Sequence, residues 1–95
     1  MTFTADEREV IRQWMIPDSQ GPHEARVRGR GVAVWALIGY WRAVNYDAEA
    51  TARAHQIPRE VMEAVLALYH HFGQYIDARL LLNEAAAEDW TLHFQ

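Results

Sequence analysis

Arg26, Arg28 and Arg30, three arginines on alternate positions, are the most chemically pointed feature of this sequence. A guanidinium carries five N–H donors in a planar fork and keeps its charge at any ordinary pH, so it holds carboxylates and phosphates bidentately. Three readings are open. Charged side chains along a sheet edge discourage aggregation; the same groups can hold a phosphate backbone, or they can face an acidic protein partner. Arg59, at the head of a later helix, is a fourth candidate for nucleic-acid or partner binding. Its neighbours Glu60 and Glu63 make a poor match for a phosphate-lined groove.

The other reactive side chains point to no catalytic centre. His70 and His71 are adjacent, so on a helix they project about 100° apart and do not share a metal easily. Glu60 and Glu63 fall on one helical face with no acid, base or nucleophile spaced to work with them, and read as solvated carboxylates. There is no G-x-S-x-G, P-loop or H-E-x-x-H motif, and no cysteine for a disulfide or a thiolate metal site. The chain is therefore expected to be non-enzymatic, with no cofactor and no metal.

The elements that would position the arginines can be read in order. Thr4 and Glu7 have the spacing of a capping box, and a helix over about 5–15 presents Val10, Ile11, Trp14 and Met15 on one face. Pro17, Asp18, Ser19, Gly21 and Pro22 break the chain. His23 to Gly31 alternates small or apolar with polar residues, the period of a strand, with Arg26, Arg28 and Arg30 on one side; its glycines suggest a kink or bulge. A helix from Ala33 to Val44 follows and is apolar nearly all round. Asn45 ends it, Asp47 caps a short helix over about 48–55, and Pro58 opens another that runs to about Phe72. After Gly73 a last helix over about 75–88 is expected to turn Ile76 and Leu80 inward, together with Tyr75 and Leu81. In the tail, Trp90, Leu92 and Phe94 alternate with polar residues as a strand or a partner-held peptide would.

This pattern predicts a mainly α fold: a small helix-turn-helix-like bundle of four to five helices with a short N-terminal strand or hairpin. Residues 1–22 would form an N-terminal helix and linker, 23–84 the core, and 85–95 a C-terminal tail. A 95-residue chain buries only about 60–65% of its unfolded surface, yet 51% of its residues are hydrophobic, four of them Trp. The surplus implies self-association, as a homodimer or higher oligomer, through Val34, Trp35, Ile38 and Trp41. Net charge is −4, distributed as −2 over residues 1–23, +3 over 24–46 and −5 over 47–95. An acidic body with one basic band lacks the broad positive field of a nonspecific nucleic-acid binder. With acids near its start and no membrane-length apolar run, the chain is expected to be cytoplasmic.

The run ARVRGRGVAVWALIGYW and the later NYDAEATARAHQIPREVMEAVLALYHHFGQYIDARL resemble domain-of-unknown-function family 433, which is grouped with VapB-type bacterial antitoxins. Arg28, Gly29, Val32, Val34 and Trp35 match the first block of that pattern, Asp47 sits at its cap, and Tyr69, Ile76 and Asp77 match the last. The likeness covers about residues 25–82. Arg30 and Gly31 stand where the family has Thr and Arg, and Gln74 and Tyr75 replace its acidic pair. The resemblance implies a helix-turn-helix-like fold and an antitoxin that binds a PIN-like ribonuclease and its own operator DNA. An inserted arginine, or the aromatic tail of Trp90, Leu92 and Phe94, would then block the toxin's acidic metal site. A stand-alone DNA-binding regulator and a homo-oligomeric scaffold are the other functions the sequence leaves open.

Overall fold

The capping box at Thr4 starts the first element. The Glu7 amide donates to Thr4 Oγ1 at 3.1 Å and the Thr4 amide to Glu7 Oε1 at 2.9 Å, so two donors that a helix start leaves unpaired are satisfied. The computed structural model describes residues 3–93, and of 87–93 the backbone alone. Helix α1 is Ala5–Trp14 and leads directly into strand β1, Met15–Ile16. A 3-10 turn, Pro22–Glu24, precedes strand β2, Arg26–Val27, which pairs antiparallel with β1 in the register Met15 to Val27 and Ile16 to Arg26. Helices α2 (Val34–Ala43), α3 (Ala48–His55) and α4 (Arg59–His93) complete the chain. The protein is thus mainly helical, with four α-helices and one minimal hairpin among the described residues.

The corners have local causes. Asp47 caps α3 by accepting the Ala50 amide at 3.0 Å. Asn45 and Tyr46 both adopt left-handed backbone, with φ of 62° and 64°, and turn the chain between α2 and α3. Gln56, also left-handed, ends α3, and after Ile57 and Pro58 helix α4 begins, giving the helix-turn-helix-like pair. Helix α2 has no side-chain cap, but its first amide, Val34, donates to the Ala25 carbonyl at 2.8 Å, so the hairpin itself caps the helix.

The core gathers Val27, Val34, Leu37, Ile38, Ile57, Val61, Met62, Val65, Leu68 and Ile76, with Met15 and Ala25 closing it from the hairpin side. Helix α1 packs on α4, so the N-terminal segment belongs to the same core as the rest. Helix α4 is bent at Phe72, whose φ and ψ of −124° and 28° are not helical. The bend falls where the glycine after it predicted a break, yet the buried row carries through it from Val61 and Val65 to Ile76. Gly39 lies under the distal part of α4: a β-carbon there would stand 3.0 Å from a methyl of Leu80, so any larger residue would make that side chain shift.

Three expectations are corrected. The segment 23–31 is not one strand: alternation holds from Ala25 to Arg28, after which Gly29 and Gly31, at φ of 81° and 72°, reverse the chain. Tyr75 and Leu81 do not turn inward; they are 56% and 65% exposed. Trp90 and Leu92 lie on the helical backbone of α4 rather than on a strand, while Phe94 and the side chains of Trp90 and Leu92 lie outside the described residues. Strand β2, by contrast, is paired within the fold. Arg26 faces Ile16 on one side and bridges Ala33 on the other, so both edges of the strand are already occupied.

Candidate functional site

The arginine turn is built from the hairpin outward. Val27 is fully buried and fixes the base of the turn, where its amide donates to the Val32 carbonyl at 2.9 Å and its own carbonyl receives the Gly31 amide at 2.9 Å. Arg26, Arg28 and Arg30 are exposed around this closed loop. Arg26 folds across it, donating from Nη1 to the Gly31 carbonyl at 2.6 Å. Arg28 reaches the other way, with Nε donating to the Gln13 carbonyl at 3.2 Å and its backbone amide to the Trp14 carbonyl at 2.6 Å. It thereby satisfies carbonyls at the end of α1, where the helix dipole favours a cation. The three side chains leave different sides of one turn and do not form a single row.

Their charges stay uncompensated. Among the described residues, none of Arg26, Arg28 and Arg30 has a carboxylate within ion-pair distance, although the chain has thirteen acids. Arg59 differs: it lies 3.4 Å from Glu49 and 3.7 Å from Glu63, so its surroundings are acidic where those of the other three are not.

The predicted oligomer residues divide. Val34 and Ile38 are 0% exposed, covered by the chain's own helices, and so are core residues of a single copy. Trp35 and Trp41 are half-buried. Trp35 lies beneath the Arg79 guanidinium, 4.1 Å from its ring centroid, and Arg79 also pairs with Glu24 at 2.8 Å. Trp41 meets Tyr46 and Tyr69 edge-on, with centroids 4.9 and 6.1 Å away. Among the described residues, the large apolar side chains most open to solvent are Ile16, Tyr40, Tyr46, Tyr75, Leu81 and Leu82.

One polar cluster has no signature in the sequence. Arg42 on α2 donates to Tyr69 Oη at 2.6 Å and pairs with Asp77, while Tyr69 Oη donates to Asp77 Oδ1 at 2.9 Å. Tyr69 precedes the bend in α4 and Asp77 follows it, so Arg42 ties both arms to α2. The hydrogen bond donated to Tyr69 raises the Arg42 pKa above its ordinary value; burial, next in size, opposes it, and the bond donated to Asp77 adds to the rise. A raised folded-state pKa contributes stability that is complete below the unfolded value and lost only as pH rises through the folded one. The latch is therefore indifferent to pH changes near neutrality on the arginine side. Arg42→Ala should lower stability by about 1 kcal/mol, the small value expected of partly exposed partners, and a thermal melt showing no change would refute the latch.

Among the described residues no group of three or more His, Asp and Glu is placed to hold a metal ion, and no helix is long and apolar enough to cross a membrane. No protein-family model, curated protein or solved structure matches the chain.

Proposed function

We propose that this chain is a non-enzymatic interaction protein of the antitoxin kind, which uses its arginine turn to engage the acidic site of a PIN-like ribonuclease. The observation that supports this is the set of three exposed arginines on one turn, two of them anchored, that meet no carboxylate among the described residues in a chain rich in carboxylates. Such groups bind an incoming acid with charge-assisted hydrogen bonds and break no internal pair to do so. A nuclease that holds its metal among carboxylates presents the complementary surface.

The test is inhibition of a PIN-type ribonuclease by the full chain, followed by RNA cleavage. Arg26→Ala, Arg28→Ala and Arg30→Ala combined should weaken inhibition roughly a hundredfold or more, as loss of two charged hydrogen bonds at about 1.5 kcal/mol each requires. Wild-type protein that leaves cleavage untouched would overturn the proposal.

DNA binding is the second reading, favoured by the same three unpaired arginines. It predicts affinity for the chain's own operator falling with salt at a log–log slope of about −2.7 for three phosphates. The head of α4, where Glu49 and Glu63 surround Arg59 and Glu60 stands beside it, weighs against that helix entering a groove. Self-association as a homo-oligomer would run through the exposed Tyr75, Leu81 and Leu82, because Val34 and Ile38 are spent within the single copy.

A further inference from the structure

Beside the arginine turn lies a pocket of about 490 Å3, bounded by the end of α1, the segment from Met15 to Ala25, and α4. Its floor is core: Met15, Ala25 and Leu68 are each buried, and Ile11, Pro17 and Pro22 extend the apolar wall. The polar rim is made by Arg12, Arg28 and Asp18. The volume falls within the range of small-molecule sites, which combine apolar walls with a few fixed polar groups.

The rim shows which ligand charge the pocket accepts. Asp18 is turned toward its own loop: its Oδ1 receives the Gln20 amide at 2.8 Å and its carbonyl the Gly21 amide at 3.1 Å. Arg12 is shared with Glu9 through Nη1 at 3.1 Å. Arg28 is anchored through Nε alone, which fixes the plane of its guanidinium; among the described residues its two terminal nitrogens meet no carboxylate. An anchored fork beside an apolar trough matches a carboxylate at the end of a hydrocarbon body.

We propose that this pocket binds a small amphipathic monocarboxylate, its apolar chain lying against Met15, Ala25 and Leu68 and its carboxylate bonded to Arg28. The site shares Arg28 with the ribonuclease proposal, but its apolar walls and the small-molecule titration that tests it do not depend on that reading.

The experiment uses decanoate below its micellar concentration, with butyrate, decanol and decyltrimethylammonium as companions, titrated into the full chain and followed by calorimetry and by amide chemical shifts. Decanoate should bind once per chain and shift Ile11, Ala25 and Leu68, while the companions, each lacking the tail or the negative charge, should bind at least tenfold more weakly. Arg28→Gln should cost roughly tenfold in decanoate affinity, which is about 1.4 kcal/mol, and Arg28→Lys should recover part of it; a melt of each variant confirms that it is folded. Arg12→Gln provides a second variant that leaves the Gln13 anchor intact, and should weaken decanoate binding by a smaller factor. Equal binding of decanol and decanoate, absence of saturable binding, or shifts confined to Leu81 and Leu82 would each overturn the proposal.

Discussion

Leu37→Ala should lower the free energy of unfolding by about 2–5 kcal/mol, among the largest losses expected from a single truncation in this protein. Leu37 is fully buried at the centre of α2, in the cluster that joins α2 to α3 and α4. Removing three carbons there forfeits their transfer from water and leaves a cavity that the surrounding helices can only partly close. A domain of this size has about 5–15 kcal/mol in total, so the variant stands near the edge of folding. Urea titration reads the effect directly: with a slope of about 1–3 kcal/mol/M, the midpoint should fall by about 1 M or more at unchanged slope. A shift smaller than about 0.3 M would mean that α2 is not the centre of the core.

Ile76→Ala should have an effect of similar size and a different distribution. Ile76 is 0% exposed and, among the described residues, is the one fully buried side chain of the arm of α4 beyond Phe72. Beside it the arm rests on Leu80 against Gly39, on the Arg42 latch, and on Arg79 with Glu24 and Trp35. The pairs to Arg42 and Asp77 are partly exposed and contribute little individually, so the apolar anchor carries most of the docking. We expect a loss of about 2–4 kcal/mol, and hydrogen exchange of amides 77–86 faster than that of α2 and α3. Local opening of the arm below the global unfolding free energy would produce this ordering. Uniform acceleration along the whole chain would show instead that the arm unfolds only with the body.

Much of the fold was legible because its punctuation is local. Thr4 with Glu7, Asp47, Asn45 and Pro58 act on backbone groups within four residues, so a linear reading places their helix ends well. The bend after residue 71 was visible from Gly73 for the same reason. The arginine segment misled because alternation is the period of a strand, and nothing local says how far it extends; Gly29 and Gly31 had to adopt positive φ for the chain to reverse. Tyr75 and Leu81 are apolar on a helix whose inner face is decided by Gly39 and Leu80, contacts that no window of sequence contains. The same limit hides the candidate polar groups. Arg42 meets Tyr69 and Asp77 over separations of 27 and 35 residues, and Arg79 meets Glu24 over 55. The sequence marked Arg28 as a binding residue, but its anchoring on Gln13 and the pocket beside it come only from the packing of α1 against the hairpin.

The corner at Asn45 and Tyr46 has a practical consequence. Left-handed backbone is tolerable for asparagine but unfavourable for a tyrosine by about 1 kcal/mol or more, and here the ring recovers part of that by standing edge-on to Trp41 at 4.9 Å. Glycine at 46 would relax the backbone and at the same time uncover the indole, two contributions of similar size and opposite sign. Position 46 is therefore close to energetically silent while sitting against a natural fluorophore, which makes it the place to install an optical reporter without disturbing the equilibrium being watched.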